Sequence, residues 1–96
     1  MVALGEVRQL RDAIRRTAAR HGARDVRLFG SVVRGEAGPA SDVDVLVRLD
    51  ADRSLLDQVA LKRNLEALLG CVVDVVTDDA MRPELRDRIL SEAVPL

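Results

Sequence analysis

The stretch DVDVLVRL (Asp42–Leu49) alternates in polarity along its whole length. One side of the extended chain carries Val43, Val45, Val47 and Leu49, and the other carries Asp42, Asp44, Leu46 and Arg48. Because successive side chains of a strand point to opposite faces, this alternation predicts a β-strand with its valines against a core. The two aspartates then share the opposite face, and the rest of the sequence has to explain their presence there.

Further strands and helices are predicted on both sides of this strand. The strands are VRLFG (Val26–Gly30) and CVVDVV (Cys71–Val76). The helices are an amphipathic one over Ala3–Arg20, a second that is capped by Ser54 and runs through Leu55–Leu69 to Gly70, and a last one that is capped by Asp78 or Asp79 with Pro83 in its first turn.

A short helical turn followed by a loop is expected between Ser31 and Ala40, because Gly35, Gly38 and Pro39 interrupt that segment. The resulting order of helices and strands predicts the α/β class, with a small mixed sheet flanked by helices. A chain of 96 residues is expected to form one domain over residues 1–96.

Composition excludes several classes of protein. Acidic and basic residues nearly balance, at 16 and 15, and there is one Phe but no Trp or Tyr. Direct nucleic-acid binding is therefore not expected, since it usually needs a basic surplus or aromatic stacking platforms. No apolar run approaches a membrane span, and the first residues do not resemble a signal peptide, so a cytoplasmic location is expected. A single cysteine, Cys71, excludes an internal disulfide.

The pair Asp42 and Asp44 is the first candidate for chemistry. Residues two apart on a strand have Cα atoms roughly 6.5 Å apart, and carboxylates at this spacing repel each other unless a cation lies between them. Ligands that are all oxygen favour Mg²⁺ or Mn²⁺, whose remaining positions accept phosphate oxygens. Taken alone, the pair is better explained as two solvated acids on an open sheet face.

Asp74 strengthens the metal interpretation. It lies among valines in a strand that the sequence predicts to be buried on both faces, where an unpaired carboxylate would cost on the order of several kcal/mol. An arginine could pair with it. Alternatively, if the third strand lies beside the second, Asp74 could join Asp42 and Asp44 around metal. Three such carboxylates can hold two ions about 3.5–4 Å apart for in-line phosphoryl displacement.

The turn at Gly30 and Ser31 follows a predicted strand and precedes a helical turn. Its backbone N–H groups can face an anion, the Ser31 hydroxyl adds a donor, and glycine permits close approach of a phosphate. Arg34 lies where the helix dipole disfavours a cation, so a bound polyphosphate or the acidic cluster is expected to compensate it. An ordinary capped turn with a surface arginine would explain the same residues.

These features together resemble the nucleotidyltransferase superfamily that includes the polymerase beta palm. The segment GSVVRGEAGPASDVDVLV, residues 30–47, is similar to the minimal nucleotidyltransferase (MNT) group, whose usual form is Gly-Ser-x-Ala-Arg-Gly followed by Ser-Asp-hydrophobic-Asp. The resemblance continues through LKRNLEALLGCVVDVVT and RPELRDRILSEAVPL and so spans essentially the whole chain. Val33 departs from the usual alanine, a mild change.

The resemblance implies a polymerase-beta-like core and a role for each motif residue. Gly30 and Ser31, with Arg34 beside them, would hold the triphosphate of ATP. Asp42 and Asp44 would bind two Mg²⁺ ions, with Mn²⁺ as an alternative. Asp74 would bind the catalytic ion and help to deprotonate the acceptor hydroxyl. The reaction would transfer AMP and release pyrophosphate.

Family members of this length are often the antitoxin of a two-gene module, so the resemblance implies a HEPN-type ribonuclease toxin as partner, silenced by adenylylation of a tyrosine. Two alternatives stay open: an antitoxin that only binds its toxin, and an enzyme that modifies a small molecule such as an aminoglycoside. The first is disfavoured by the intact set of Gly30, Ser31, Asp42, Asp44 and Asp74. The absence of a second domain to form an acceptor pocket argues against the second.

Overall fold

The computed structural model describes residues 3–36, 38 and 42–96. The helices are α1 (Leu4–Gln9), α2 (Arg11–Arg20), α3 (Ser31–Arg34), α4 (Leu55–Leu69) and α5 (Pro83–Glu92), with a 3-10 turn at Asp78–Ala80. The strands are β1 (Ala23–Phe29), β2 (Val43–Leu49), β3 (Val73–Thr77) and β4 (Val94–Pro95). Of the predicted loop before Asp42, Pro39 and Ala40 lie outside the described residues, whereas the helical turn at Ser31 is present.

The four strands form one mixed sheet in the order β3-β2-β1-β4. Strand β2 runs parallel to β3, and β1 runs antiparallel to both of its neighbours, β2 and β4. A parallel pair needs a long crossover connection, and α4 provides it between β2 and β3. This arrangement confirms the predicted α/β class with a small mixed sheet flanked by helices.

The main hydrophobic core lies on one face of this sheet. The predicted core side of β2 is buried: Val43, Val45 and Val47 are at most 2% exposed. They pack in one cluster with residues of the other strands and of α1, α2 and α4, among them Val7, Ile14, Ala18, Leu28, Leu61, Leu65 and Val73. The valine alternation of β2 therefore selects which face the helices cover, and it leaves the aspartate face for other uses.

Helix α4 also shields the outer edge of β3, which is the free edge of the parallel pair. Gln58 donates to the Val75 carbonyl at 2.9 Å, and Lys62 donates to the Val73 carbonyl at 2.6 Å. Glu66 accepts from the Val73 backbone N–H at 3.1 Å. The three side chains are spaced one helical turn apart, so they satisfy edge groups that would otherwise be available to pair with another chain.

Several local expectations need correction. The helix predicted over Ala3–Arg20 is interrupted at Leu10, whose N–H bonds the Val7 carbonyl three residues back. Arg82, not Asp78 or Asp79, occupies the N-cap of α5, because the two aspartates belong to the preceding 3-10 turn. Strand β4 was not predicted, since two residues carry no periodic signal.

The predicted second helix is confirmed at both ends. The Ser54 and Asp57 side chains form a reciprocal capping box, and Gly70 adopts the left-handed conformation that ends the helix. Its apolar residues are less buried than the sequence suggested, because Leu55 and Leu56 are 72% and 80% exposed. Within the described ranges, none of the helices has the length and apolar character needed to cross a membrane.

The contact between α4 and β3 generates a prediction about pH. The backbone N–H of Val73 and the ammonium of Lys62 bond Glu66 and lower its pKa. A lowered pKa in the folded state means that ionised Glu66 stabilises the fold above the pKa of the unfolded chain, about 4.3, and that this contribution is lost as pH falls through the lower folded value. Glu66→Gln is therefore expected to reduce the free energy of unfolding at pH 7 and to flatten its decline below about pH 4.5.

Urea unfolding at pH 7 and at acidic pH measures this effect. Glu84→Gln is the matched control, because Glu84 is exposed and carries the same charge. Equal pH profiles for wild type and Glu66→Gln would contradict the prediction.

Candidate active site

The predicted site residues meet where three strands come together at one end of the sheet. Asp44 in β2 is the register partner of Phe29 in β1 on one side and of Asp74 in β3 on the other. Register partners on adjacent strands lie roughly 5 Å apart and point to the same face. Because Gly30 follows Phe29 directly, the turn and the two carboxylates are neighbours in space. The predicted position of the third strand beside the second is confirmed.

Gly30 makes room for Asp44. Its backbone has φ +79° and ψ −155°, a region that is accessible almost only to glycine. A Cβ atom at this position would lie 2.1 Å from the Asp44 Oδ2 atom and 3.0 Å from its Cγ atom. From the sequence, a phosphate was expected to approach the backbone at Gly30. In the structure, the group nearest to the position of this Cβ is the Asp44 carboxylate. Glycine is required here on two counts, backbone conformation and close approach.

The three carboxylates differ in their surroundings. Asp44 is half-buried, whereas Asp42 and Asp74 are exposed. The expectation that Asp74 would be buried on both faces is wrong, because β3 alternates between buried valines and more exposed residues. The argument from the cost of burying Asp74 therefore fails. Its nearness to Asp44 follows from strand register alone.

Asp44 experiences the charge of its neighbours. Burial, followed by the nearby carboxylates of Asp74 and Asp42, raises the pKa of Asp44, and the guanidinium of Arg34 partly counteracts them. The negative charges of the cluster thus act on one another across the two strands. A divalent cation would relieve this repulsion, and the donor set, made up entirely of carboxylate oxygens, is one that Mg²⁺ and Mn²⁺ accept.

The cluster is not fully assembled for metal binding. Across residues 3–36, 38 and 42–96, no three His, Cys, Asp or Glu side chains converge closely enough to form a metal site as they stand. The backbone brings Asp44 and Asp74 to adjacent positions, with Asp42 directly before β2. The chemistry of these donors fits a divalent cation, and their mutual repulsion is what such an ion would offset.

Arg34 is compensated in a way that the sequence did not predict. It is the last residue of the single-turn helix α3, and its guanidinium contacts Glu36 at 3.0 Å and Glu92 at 2.5 Å. Both carboxylates are bonded to it and raise the pKa of Arg34. The expected counter-charge was a polyphosphate or the aspartate cluster. Glu92, 58 residues away in sequence, was missed because only the β4 pairing reveals that the end of the chain returns to this site.

The backbone of the Gly30 turn leaves donors for a ligand. Val33 and Arg34 both donate to the Gly30 carbonyl, at 3.1 and 3.2 Å, which closes the turn. The preceding N–H groups, those of Ser31 and Val32, belong to the start of α3, where a helix leaves its first donors without helical partners. Ser41, the first residue of the predicted Ser-Asp-hydrophobic-Asp motif, lies outside the described residues.

Comparison with known families assigns the chain that carries this Gly-Ser turn and these paired aspartates to one of them. A family model described as "nucleotidyltransferase domain" matches residues 7–96. The chain belongs to this nucleotidyltransferase family. The match confirms the family expected from the motif at residues 30–47, and it identifies the chain as a nucleotidyltransferase enzyme.

Two curated relatives share most of their length with this nucleotidyltransferase. A Methanocaldococcus jannaschii protein, whose name assigns it to the protein adenylyltransferases, is 48% identical over 75 residues, which are 78% of this chain and 81% of the relative. The protein adenylyltransferase MntA of Thermococcus cleftensis is 44% identical over 75 residues, covering 78% and 76% of the two chains.

Solved structures agree with the fold. One described as a minimal nucleotidyltransferase superposes with a TM-score of 0.89 at 48% identity and covers 99% of this chain and 97% of its own. A chain from a toxin–antitoxin crystal structure with AMP-PNP has a TM-score of 0.68 at 22% identity, covering 93% and 67% of the two chains. At that identity the second comparison shows a shared fold only.

The close approach at Gly30 predicts a specific defect. Gly30→Ala is expected to destabilise the fold by roughly 1–3 kcal/mol, because alanine does not tolerate this backbone conformation. It should also displace the Asp44 carboxylate and so weaken any metal binding there. Thermal unfolding with and without Mg²⁺ measures both effects. Gly5→Ala is the control, since Gly5 lies in α1 with no atom within 4 Å of its added Cβ; equal behaviour of the two variants would contradict the prediction.

The repulsion within the cluster predicts a trade-off between stability and activity. Asn at position 44 is close in shape and removes the charge that Asp74 and Asp42 oppose, so Asp44→Asn should raise the Tm in buffer free of divalent ions. Added Mg²⁺ should raise the Tm of wild type and leave that of the variant nearly unchanged. Nucleotidyl transfer should fall on the order of 10²-fold or more. Differential scanning calorimetry measures the expected changes in Tm, and a transfer assay measures the loss of activity. A lower Tm for Asp44→Asn than for wild type without metal would contradict the prediction.

Proposed function

We propose that this nucleotidyltransferase transfers AMP from ATP to a hydroxyl group of a partner protein. The observation that carries the proposal is the register of Asp44 with Asp74 directly beside the Gly30 turn. This arrangement brings carboxylates for cations next to backbone donors for phosphate. The choice of AMP and of a protein acceptor is supported by the two relatives named as protein adenylyltransferases, at 48% and 44% identity.

In this proposal Asp42, Asp44 and Asp74 hold the divalent cations, Mg²⁺ or Mn²⁺. Such ions would supply positive charge to the entering and leaving oxygens of an in-line displacement. Asp44 would be central to this role, because it is half-buried and experiences the charges of both of the other carboxylates. The greater exposure of Asp42 and Asp74 leaves the outer side of the cluster open to substrate.

The triphosphate would lie over the Gly30 turn. The first N–H groups of α3 and the Ser31 hydroxyl would donate to its oxygens, and Arg34 would contribute a guanidinium from the end of the same turn. Gly30 adds no side chain to the turn, and the Asp44 carboxylate occupies the space that a Cβ would take, so the phosphates would meet the turn beside that carboxylate. The negative charge of ATP would then offset Arg34 on one side, and Asp42, Asp44 and Asp74 would hold the cations that supply positive charge to the phosphates on the other.

The transfer itself needs one proton acceptor. The acceptor hydroxyl oxygen forms a bond to the α-phosphorus, the bond from that phosphorus to the bridging oxygen breaks, and pyrophosphate leaves with the electron pair. Asp74 would accept the hydroxyl proton, and its exposure on β3 lets a protein acceptor approach from solvent. No serine or histidine nucleophile is required.

The partner proposed is a HEPN-type toxin encoded by a neighbouring gene, with this chain as its antitoxin. The resemblance of the whole chain to the MNT group supports this assignment. The toxin–antitoxin structure described above shares the fold, so the fold is compatible with such a role in that protein. A purely steric antitoxin and a small-molecule nucleotidyltransferase are the alternative outcomes of the test.

Intact-mass spectrometry of the neighbouring HEPN-type protein tests the proposal directly. After incubation with wild-type protein, ATP and Mg²⁺, the toxin is expected to gain one or more AMP units, and a variant carrying Asp42→Asn and Asp44→Asn should add none. Asp52→Asn is the matched control, because it removes a carboxylate from an exposed turn away from the cluster. It should behave as wild type.

The outcomes separate the three functions. A mass gain with wild type and Asp52→Asn alone supports the transferase. A stable complex with both active and double-variant protein, without any mass gain, would replace the proposal by a binding antitoxin. Consumption of ATP with transfer to an added aminoglycoside, but not to the toxin, would favour the small-molecule enzyme.

A further inference from the structure

The Arg34 guanidinium is held between two carboxylates that come from distant parts of the chain. Glu36 lies two residues away and its side chain is 63% exposed, whereas Glu92 lies at the end of α5 and its side chain is only 19% exposed. An ion pair with an exposed partner is weakly restrained and screened by salt. The Glu92 contact is the more shielded of the two, and it is the shorter one, at 2.5 Å.

Strand β4 fixes the position of Glu92. Val94 pairs with Leu28 and Pro95 with Arg27 in an antiparallel register. Glu92 precedes Val94 by two residues and Gly30 follows Leu28 by two, so both lie just beyond the same end of this short ladder. The end of α5 is therefore placed beside the proposed triphosphate site by backbone pairing of the residues that follow it.

Helix α5 lies at the surface of the protein. All ten of its residues, 83–92, are described, and none of them is buried. Ion pairs join it to the rest of the protein near both ends, Arg86 with Asp78 at 3.3 Å and Glu92 with Arg34. The contact with Arg34 is thus a specific polar link at the end of a helix whose apolar residues Ile89 and Leu90 are only half-buried.

Arg34 keeps donors for a ligand while it is held. A guanidinium has five N–H donors, and the contacts with Glu36 and Glu92 use Nε and Nη1. The contacts described for Arg34 within residues 3–36 and 42–96 involve Nε and Nη1 and not Nη2. The Arg34 side chain is 42% exposed, so the Nη2 edge can meet a phosphate without release of either carboxylate.

We infer that Glu92 is a positioning residue for nucleotide binding: it fixes the Arg34 guanidinium beside the Gly30 turn and leaves its Nη2 edge for the triphosphate. The inference rests on the proposed function, in which ATP binds at this turn. A held guanidinium loses less side-chain freedom when the nucleotide arrives, so its contacts with phosphate are formed at lower entropic cost.

The opposite role, competition between Glu92 and the triphosphate for Arg34, fits the geometry less well. A competing carboxylate has to move aside when the ligand binds. The two residues that pair with β1 begin directly after Ala93 and restrain the backbone of Glu92. Glu36 is exposed on the segment after α3 and is the better candidate for a carboxylate that yields.

Calorimetric titration with a non-hydrolysable ATP analogue and Mg²⁺ tests the inference without any acceptor protein. Glu92→Gln is expected to weaken binding roughly 10-fold, the lower end of the loss that follows removal of the group orienting a direct ligand. Glu36→Gln should weaken it less than about 3-fold, because that carboxylate is more exposed. Asp87→Asn, which removes a charge from an exposed position of the same helix, should leave the Kd unchanged.

A double-mutant cycle separates positioning from a structural effect. In an Arg34→Ala background, Glu92→Gln should cause no further loss of affinity, because the group that it orients is absent. In transfer assays Glu92→Gln should raise the KM for ATP while kcat changes little. Glu92→Asp retains the charge but shortens the side chain, so it should weaken binding as Glu92→Gln does, with a Tm near that of wild type.

Each remaining outcome overturns a defined statement. Wild-type binding that neither Glu92 variant weakens, or that Glu92→Gln strengthens, would overturn the role of Glu92 alone. Failure of wild type to bind the analogue would overturn both this role and the proposed nucleotide site. If wild type binds the ATP analogue normally but does not modify the toxin, the proposed acceptor is overturned. The role of Glu92 is then still decided by the Kd values of its variants.

Discussion

The parallel pairing of β2 with β3 is the constraint on which the rest of the site depends. It brings Asp44 into register with Asp74 although thirty residues separate them. Parallel strands cannot be joined by a tight turn, so the whole of α4 is needed to carry the chain across. The same helix fills one face with leucines and bonds the outer edge of β3. Core, edge protection and carboxylate placement therefore follow from one connection.

The pairing of β2 with β3 also destabilises the fold locally, at Asp44. Its carboxylate is half-buried, faces other acids, and touches a turn that only glycine can form. A fold selected for stability alone would place an uncharged residue here. Strain and like-charge repulsion at one position are typical of sites that are completed by a ligand. In this protein they occur together at the residue for which we propose cation binding.

The sequence was most informative where a local pattern decides the structure. The alternation of valines with polar residues predicted β2 correctly, and the Ser54 cap and Gly70 predicted both ends of α4. These patterns are reliable because they reflect interactions between residues that are near one another in the chain. It was misleading for Asp74, since a run of valines does not state how many faces of a strand are covered. It could not reveal Glu92, because that contact depends on a two-residue strand whose partner lies far away in sequence.

The parts that the sequence missed share one physical property: they are long-range polar contacts. The periodicity of apolar residues predicts which side of a helix is buried, and α5 has no buried residue. What holds α5 in place are its charged side chains, whose partners lie far away in the sequence and so cannot be predicted from it. Such contacts contribute little to stability when they are exposed. They can nevertheless fix the orientation of a side chain. A guanidinium whose Nε and Nη1 are bonded to carboxylates points its Nη2 group in a defined direction. A short strand and a surface helix are then sufficient to bring Glu92 beside Arg34 and the candidate site.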